Sequence, residues 1–423
     1  MKVLIIGGGG REHALGWKLK QSKKVSELFF APGNGGTEEL GKNIAISPTD
    51  IKNLVMFARE KLIDLTVVGV DDALAAGVTD EFRRSGLRIF GPDKHTAQIE
   101  SSKSFAKELM QRLNIPTASF RVFTDYYKAL DYLSKQEFPL VLKASGLALG
   151  KGVSICNSLN EAQDWLKRVM LEHMFGESGN TVIIEEYLTG YELSVHAICD
   201  GKNFELFPIS QDNKAIYDGD KGPNTGGMGV VAPVDVLSAK DLTFIGQKIV
   251  KPIIDELAKV GHPFIGCLYP GLMITKKGIK VIEYNARFGD PECQTYMRLL
   301  ESDLFDMLWR CTEENLSETE LVWKNGYGIC VTLASAGYPV NTQTGRAIKG
   351  VKSVNHKDNV VVFHAGTKRE EKTLLSSGGR VLSVTAYGNS IEEARNKAYC
   401  AIKKIEFSGM QYRNDIGLPK NGM

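Results

Sequence analysis

Residues 283–292 read EYNARFGDPE and follow an apolar stretch, residues 267–274, that predicts a buried strand. Side chains two positions apart on a strand share a face, which places Glu283, Asn285 and Arg287 together. A carboxylate and an amide oxygen are hard ligands suited to Mg²⁺ bridging nucleotide phosphates, and a neighbouring arginine can hold a transferring phosphoryl group. An exposed strand face with a fortuitous ion pair would not explain the buried strand beside it. The stretch therefore predicts a metal and phosphate site on a central sheet.

A second candidate segment, residues 143–152, reads KASGLALGKG. It is not a Walker A loop, because Ser145 stands where the first Gly belongs and Gly152 where Ser or Thr should follow the lysine. Two lysines, Lys143 and Lys151, bracket a flexible turn and can neutralise nucleotide phosphates as the loop closes. Such a loop alone is more often a solvated hairpin tip. Together with residues 283–287 it favours nucleotide binding.

A third segment, residues 185–192, passes from a strand into a linker. Its backbone groups beside Glu185, Glu186 and Leu188 are suited to an adenine edge. Glu192 follows at a spacing from which a carboxylate can bind ribose hydroxyls. We therefore expect this segment to complete a nucleotide site.

Two glycine loops lie near the N-terminus. Gly7–Gly10 follows the first strand and opens a helix, but the sixth position of a GxGxxG fingerprint falls on Glu12 or His13, so a dinucleotide is disfavoured. A tight strand-to-helix turn would need one or two glycines rather than four. The second loop, residues 33–36, follows the next strand at the same sheet edge. Two adjacent loops predict a small phosphorylated ligand held by backbone N–H groups and a helix N-terminus.

The chain of 423 residues predicts about three domains. Strands are expected at residues 3–6, 28–30, 43–46, 65–68 and 88–90, with helices near 12–21, 50–61 and 76–85 between them. This alternation predicts a doubly wound α/β domain with a parallel sheet over residues 1–101. Residues 102–310 read as a second domain containing a small α+β unit near 120–190. A separate sheet-plus-helix domain is expected over 325–423.

Composition narrows the function classes. The 52 basic and 50 acidic residues nearly balance and form no dense basic run, which argues against a nucleic-acid partner. Seven scattered cysteines without a CxxC pair argue against a disulfide framework or a structural zinc site. The first apolar run is too short for a signal-peptide core, and no apolar run reaches 18 residues. We predict a soluble, cytoplasmic protein that has no membrane partner.

Several strings of the sequence carry a resemblance: residues 7–14 GGGGREHA, 31–34 APGN, 146–148 GLA, 150–153 GKGV, 222–229 GPNTGGMG, 287–292 RFGDPE and 363–367 FHAGT. Together they resemble the ATP-grasp ligases and, among them, the glycinamide ribonucleotide synthetase family. The likeness runs almost end to end, and the strings at 222–229 and 287–292 are highly specific. It implies a doubly wound N-terminal domain, an ATP-grasp core with a mobile lid near 120–190, and a β-rich C-terminal domain.

The resemblance also implies a reaction. ATP would phosphorylate the glycine carboxylate, and the amine of 5-phosphoribosylamine would attack the acyl phosphate and release phosphate, a step of purine biosynthesis. This chemistry depends mainly on positioning and charge neutralisation. We expect a monomer whose partners are these small molecules and whose cofactors are ATP and Mg²⁺ or Mn²⁺.

Site residues follow from the resemblance position by position. ATP would be held by Lys103, Lys143, Gly146, Gly150, Lys151, Gly152, Glu185, Glu186, Leu188 and Glu192, and the metal by Glu283 and Asn285. Arg287, Lys151 and Asp290 would be catalytic, with Arg287 at the transferring phosphoryl group and Asp290 at the glycine ammonium. The substrates would be held by Gly9, Gly10, Arg11, Glu12, Gly33, Asn34, Gly35, Asp71, Asp212, Lys214, Asn224, Thr225, Gly226, Arg287 and Asp290.

The chain departs from the family pattern at a few positions. Residues 69–74 read GVDDAL where the family usually shows GPExPL, and Ser145, Asn213 and Ala215 replace an Asp, a His and an Arg. These positions are expected near phosphoribosylamine and glycine, so a paralogous ligase with another amino acid or amine stays an alternative. A nucleotide-binding pseudoenzyme is a further alternative. It would be expected to lose Glu283, Asn285 or Arg287, and all three are present.

Overall fold

The computed structural model describes residues 1–148, 151–318, 320–355, 357 and 359–419. The first hundred residues form a parallel sheet in the order β3-β2-β1-β4-β5. Its strands are β1 Lys2–Gly7, β2 Glu27–Pro32, β3 Lys42–Asn43, β4 Leu65–Val68 and β5 Ile89–Phe90, and its helices are α1 Gly10–Leu19, α2 Ile51–Lys61, α3 Asp71–Ala76 and α4 Val78–Arg84. The doubly wound parallel sheet predicted from the alternating pattern is confirmed.

Two local details of this domain differ from the predictions. The helix expected near 76–85 is α4, and a further helix, α3, precedes it; Gly77, with φ +92°, separates the two. The strand expected at 43–46 pairs only at Lys42–Asn43. Ile44 and Ile46 continue as irregular chain and still pack on the sheet's apolar face.

A small α+β unit follows a helical connection. The connection is α5 Gln98–Ser101 and α6 Lys103–Arg112; the unit contains β6 Phe120–Phe123, α7 Tyr126–Leu133, β7 Leu140–Ala144, β8 Val153–Cys156, α8 Leu159–Met170 and β9 Val182–Glu186. Its antiparallel sheet has the order β6-β9-β7-β8. Leu142, Leu166 and Ile184 are among the side chains of a core that belongs to this unit. The segment from 120 to 186 is thus a separately packed body above the central sheet.

The central region contains β10 Tyr191–Ser194, β11 Ala197–Asp200, β12 Phe204–Leu206, β13 Gln211–Asp212, β14 Ala215–Tyr217, β15 Lys221–Asn224, β16 Gly229–Ala232, α9 Ala239–Phe244, a π-helical segment Ile245–Val250, α10 Lys251–Lys259, β17 Ile265–Thr275 and β18 Gly278–Asn285. Strands β10, β17, β11 and β12 are neighbours in that order, and β18 pairs with β17. The apolar residues 267–274 lie on β17, as expected. The hairpin β17–β18 brings residue 285 to the middle of the molecule.

The last elements are α11 Glu292–Leu299, α12 Leu304–Thr312, β19 Tyr327–Ala334, α13 Val351–Val354, β20 Val360–His364, β21 Thr367–Glu370, β22 Thr373–Ser376, β23 Arg380–Gly388 and α14 Ile391–Ile402. The C-terminal sheet has the order β13-β16-β19-β23-β20. Two of its strands therefore come from residues 211–232, which the sequence assigned to the preceding domain. Helices α11 and α12 pack into the apolar core of the N-terminal sheet, so the domains are more interleaved than the predicted boundaries at 310 and 325 suggest.

These connections bring the ends of several elements to one place. The glycine turn before α1, the end of β18, the start of β23 and the α5–α6 corner all border the same internal space. In the part of the chain that the structure describes, no helix is long and apolar enough to cross a membrane.

Candidate active site

A cavity of about 560 Å³ lies between the N-terminal sheet, the small α+β unit and the central hairpin. The structure brings eighteen of the predicted site residues to it: Arg11, Asp71, Lys103, Lys143, Gly152, Glu185, Glu186, Leu188, Glu192, Asp212, Lys214, Asn224, Thr225, Gly226, Glu283, Asn285, Arg287 and Asp290. A smaller cavity of about 320 Å³ lies beside it and contains Gly9, Gly33 and Asn34. Asp290, Tyr338 and Arg380 line both cavities, so the two are adjacent.

One side of the large cavity, the lysine wall, consists of Lys103, Lys107 and Lys143 with Glu185. Lys103 and Lys107 lie one turn apart on α6, whose N-terminus is capped by Ser102. Glu185 is buried; it forms an ion pair with Lys107 at 2.5 Å and another with Lys143. Burial lowers the pKa of Lys107 to about 8 and also lowers the pKa of Lys103. The wall therefore presents three lysines, two of which are held by one carboxylate.

This arrangement gives the Glu185 side chain a structural role. Its carboxylate is occupied by two lysines, and the backbone contact of this segment with an adenine edge stays a prediction. Glu186 accepts the Ser119 N–H at 3.1 Å and forms an ion pair with Lys280. Leu188 and the main chain beside it line the cavity. In this segment, the Glu185 side chain holds the lysine wall in place.

The cavity floor carries Glu283, Asn285 and Arg287 in one cluster, as predicted. Strand β18 ends at Asn285, and Arg287 lies two residues beyond, where its Nη2 donates to Asn285 Oδ1 at 3.2 Å. Burial opposes ionisation of Glu283, but Lys214, Lys143 and Lys103 outweigh it and lower the pKa of that carboxyl. An ionised carboxylate, an amide oxygen and a guanidinium thus face the same space.

The opposite side, the hairpin wall, consists of Lys214, Asn224, Thr225, Gly226 and Arg380. It is held largely by backbone acceptors: Thr225 Oγ1 donates to the Lys214 carbonyl at 2.7 Å, and Arg380 Nη1 donates to the Gly226 carbonyl at 2.6 Å and the Asp290 carbonyl at 2.5 Å. Lys214 also forms an ion pair with Glu192. This wall therefore joins the β14–β15 hairpin to the C-terminal sheet.

Two partly buried carboxylates border this wall and differ in their electrostatics. Burial and the neighbouring Glu292 raise the pKa of Asp212 well above its usual range. Asp290 accepts from Gln294 Nε2 at 2.7 Å, and Arg380 together with Arg11 outweighs burial and lowers the pKa of that carboxyl. The ionised form of Asp290, at the junction of the two cavities, is thus favoured by the guanidinium groups around it.

The second glycine loop differs from its prediction. Each of its four N–H groups donates to protein: Gly33 to the Gly7 carbonyl, Asn34 to Thr37 Oγ1, Gly35 to the Thr367 carbonyl and Gly36 to Asn34 Oδ1. The expectation that these amides face a phosphate is therefore wrong. The loop has a structural role instead. Its bond to Thr367 holds the C-terminal strand β21 next to the N-terminal sheet, and Gly33 and Asn34 lie at the edge of the small cavity.

The first glycine loop encloses a carboxylate. Glu12 is completely buried and accepts from Gly9 N–H at 2.6 Å and from Arg11 Nε at 2.6 Å. A Cβ at Gly7, Gly9 or Gly69 would approach the Glu12 side chain to 2.8 Å or less. The predicted substrate contact of Glu12 is therefore wrong; its carboxylate fixes Arg11, whose guanidinium reaches the cavity.

Five predicted residues, all within the described part of the chain, line neither cavity: Gly10, Glu12, Gly35, Gly146 and Lys151. Gly10 starts α1 and leaves room for Gln294, whose Nε2 would lie 2.5 Å from an added Cβ. The Gly146 carbonyl accepts from Lys103 Nζ at 3.2 Å, so this residue orients the lysine wall. Lys151 is exposed. Gly150 lies outside the described residues.

Sequence reasoning missed Glu100, Lys107, Tyr269, Glu292, Tyr338 and Arg380, all of which line the large cavity. A signal existed for Lys107, which lies four residues after Lys103 and shares its helix face. Glu292 stood at the end of the quoted motif. Arg380 gave no local signal, because it starts a strand 90 residues from Asp290.

The departures from the family pattern lie mostly away from the cavities. Ser145 Oγ accepts from the Ser104 N–H at 3.0 Å at the start of α6. Asn213 is buried, with its side-chain amide on the Gly229 carbonyl at 3.0 Å. Among described residues, Ser145, Asn213 and Ala215 line neither cavity, which corrects the expectation that they border the substrates. Asp71 lines the large cavity.

Three family models match the chain. The phosphoribosylglycinamide synthetase N domain matches residues 1–100, its ATP-grasp (A) domain 101–293 and its C domain 328–419. A phosphoribosylamine–glycine ligase of Caldanaerobacter subterraneus is 45% identical over 98% of this chain and 99% of its own length. The corresponding ligase of Vibrio parahaemolyticus is 46% identical over 99% of this chain and 98% of its own.

Solved structures give the same picture. The crystal structure of a phosphoribosylamine–glycine ligase from Thermotoga maritima has a TM-score of 0.85 and 32% identity, covering 98% of this chain and all of that one. The biotin carboxylase domain of a Hydrogenobacter thermophilus 2-oxoglutarate carboxylase, solved with MgADP, has a TM-score of 0.74, covering 97% of this chain and 91% of that one. At 16% identity it shares the fold alone.

Proposed function

The chain belongs to the phosphoribosylglycinamide synthetase family, and we propose that its two joined cavities couple ATP cleavage to the ligation of glycine with 5-phosphoribosylamine. The observation that carries the residue assignment is the convergence of the lysine wall, the Glu283–Arg287 floor and the hairpin wall on one space. Cations on one wall suit a polyphosphate, and the adjacent smaller cavity leaves room for a second substrate.

The nucleotide is assigned to the lysine wall. Lys103 and Lys143 neutralise its phosphates, while the main chain near Leu188 borders the base. The small α+β unit contributes Lys143 and Gly152 to this side and has its own core, which fits a lid that closes over the nucleotide.

ATP and a divalent metal ion are the cofactors of this class of ligase, and we assign the ion, magnesium or manganese, to Glu283 and Asn285. Their donors fit a hard cation, because Glu283 is held ionised and Asn285 offers an amide oxygen. Within the described ranges no group of three His, Cys, Asp or Glu side chains is arranged to hold a metal. That agrees with an ion bound by one or two protein groups plus phosphates. When bound, it would neutralise charge on the phosphate oxygens.

The reaction then needs two bond exchanges. A glycine carboxylate oxygen takes the γ-phosphoryl group of ATP and ADP leaves; Arg287 is placed to meet the charge of the transferring group. The amine nitrogen of phosphoribosylamine next attacks the glycyl carbonyl carbon, loses a proton and expels inorganic phosphate. Asp290, charged and fixed by Gln294, is placed for the glycine ammonium at the junction of the cavities.

We further propose that the ligase acts as a monomer in the cytoplasm. Analytical ultracentrifugation at working concentration measures the oligomeric state directly.

The test of the activity combines genetics with product release. Wild-type protein should restore growth without purines to a strain lacking this step, whereas Glu283→Gln should not. In vitro, phosphate release from ATP should require both glycine and 5-phosphoribosylamine, each omitted in turn. Failure of complementation together with phosphate release stimulated by a different amino acid would contradict the assignment.

A further inference from the structure

Glu100 lies on α5, the short helix that leads from the N-terminal domain to α6. Its side chain is 9% exposed, and its two carboxylate oxygens have different partners. Oε1 lies 2.7 Å from Arg287 Nη2, and Oε2 accepts the Ala286 backbone N–H at 2.8 Å. One carboxylate thus holds both the Arg287 guanidinium and the backbone N–H of the residue before it.

The other contacts of Arg287 come from its own loop. Nη2 also donates to Asn285 Oδ1 at 3.2 Å, and Nη1 donates to the neighbouring Phe288 carbonyl at 3.3 Å. Nε is buried without a hydrogen-bond acceptor among the described residues. Hydrogen bonds at these distances are weak. The orientation of the guanidinium therefore depends on its shorter ion pair with the Glu100 carboxylate.

The contact also pairs opposite charges. An arginine keeps its charge inside a protein, and Glu100 Oε1, 2.7 Å from Nη2, is the carboxylate oxygen of its ion pair. An arginine without its carboxylate would be free to turn toward Asp71 or toward the nucleotide phosphates in the ground state. Binding of that kind does not accelerate a reaction, because only interactions stronger in the transition state do so.

We propose that Glu100 is a positioning residue for phosphoryl transfer: it fixes Arg287 in the direction required by the transferring group. The proposal rests on the proposed function, since it requires Arg287 to meet that group. It predicts that Glu100 governs kcat and leaves the KM for ATP nearly unchanged, because the lysine wall holds the nucleotide.

A purely structural role gives a different expectation. Glu100 would then tie the domains together, as Asp93 does in the segment between β5 and α5. Asp93 is buried, accepts from Thr96 N–H at 2.8 Å and contacts His262 Nδ1 at 2.7 Å across the domain junction, and it lines neither cavity. Asp93→Asn is therefore the matched control for loss of a buried carboxylate at this junction.

The experiment measures steady-state phosphate release and thermal unfolding for wild type, Glu100→Gln, Arg287→Met, the double variant and Asp93→Asn. Glu100→Gln should lower kcat about 100-fold, the size of effect expected when a reacting group is misplaced by an ångström, with the KM for ATP within about twofold. The double variant should be no slower than Arg287→Met alone, because Glu100 acts through Arg287. Asp93→Asn should lower the unfolding temperature and keep kcat.

Either of two results would overturn the proposal: an unchanged kcat in Glu100→Gln, or losses of rate that multiply in the double variant. If Glu100→Gln does not fold, Glu100→Asp, which keeps the charge but withdraws it by one methylene, carries the same kcat and double-variant test. The proposed function fails separately, when wild-type enzyme releases no phosphate with glycine and 5-phosphoribosylamine.

Discussion

The lysine wall and the hairpin wall face each other across one cavity but are held by different interactions. The lysine wall is held by side-chain charges: one buried carboxylate, Glu185, contacts Lys107 and Lys143. The hairpin wall is held by bonds to backbone carbonyls, such as those from Thr225 and Arg380. The ion pairs of the lysine wall set the positive charge on that side of the cavity, whereas the backbone bonds of the hairpin wall set the shape of the other side. We therefore expect damage to the first to change ATP binding and damage to the second to change substrate binding.

The hairpin wall has a distant anchor in the C-terminal tail. Arg413 is 1% exposed and donates through Nε and Nη2 to the two oxygens of Asp415, at 2.7 and 2.6 Å. Its Nη1 donates to Asp220 at 2.7 Å and to the Ala215 carbonyl at 3.2 Å, both on the β14–β15 hairpin. Asp415 also accepts the Gly219 N–H at 2.8 Å. Arg413 and Asp415 of the C-terminal tail thus hold the β14–β15 hairpin, which carries Asn224 at the cavity.

The largest effect is expected where the two walls meet. Glu283 is stabilised by cations of both, Lys103 and Lys143 on one side and Lys214 on the other. Glu283→Gln keeps the shape but removes the anionic metal ligand, so kcat should fall by about a thousandfold. Phosphate release measures this, and circular dichroism should show an unchanged fold. Wild-type turnover with normal magnesium dependence would refute the metal assignment.

The two walls also differ in how far the sequence could predict them. Strand and helix alternation predicted the parallel sheet, and the segments 143–152 and 283–292 indicated Lys143 and Glu283, because their chemistry lies within contiguous stretches. Lys103 followed only from the family resemblance. The pairing of β16 with β19, which also brings β13 into the C-terminal sheet, could not be predicted from periodicity, since it depends on which distant edge is available.

The same reason explains the errors at the site. Arg380 acts on Gly226 and Asp290, residues 154 and 90 positions away in the chain. The resemblance assigns Glu12 to substrate binding, but the sequence does not reveal that the glycines around it leave room for its own side chain. A loop rich in glycine indicates close approach, but not whether the approaching group is a ligand or a neighbouring residue.

A smaller effect, confined to the hairpin wall, is expected from Arg413→Lys. Lysine keeps the charge but not the planar fork that contacts Asp415 and Asp220 together. The hairpin should loosen, and the KM for 5-phosphoribosylamine should rise about tenfold, the value of one charge-assisted hydrogen bond. The KM for ATP should stay constant.

The matched control is Arg395→Lys. Arg395 donates to the Asn414 and Ile416 carbonyls of the same tail, at 2.7 and 3.1 Å, but does not contact the hairpin. Its KM values should stay near wild type. Equal effects of the two substitutions would mean that general tail order, rather than the bonds to the hairpin, sets substrate binding.

The smallest effect concerns the charge of the lysine wall and depends on pH. Lys107 has a pKa of about 8, lowered by burial from its usual 10.5, so it is charged at pH 7 and loses its proton as the pH rises through 8. The wall then has one cation fewer, and the dissociation constant of a non-hydrolysable ATP analogue should rise roughly fivefold between pH 7 and 9. In Lys107→Gln the affinity should already be reduced at pH 7 and show little further change.

A loss of folding stability cannot account for the weaker nucleotide binding at high pH, because the Lys107 contribution to stability changes with pH in the opposite direction. The folded pKa of Lys107 lies below the unfolded value, so between about pH 8 and 10.5 the unfolded chain binds more protons at this site. The Lys107 contribution to the free energy of unfolding therefore rises with pH over that range, while nucleotide affinity falls. Calorimetric titration at both pH values, with thermal unfolding beside it, separates the two. An affinity independent of pH in the wild type would show that Lys107 does not contribute its charge to the nucleotide.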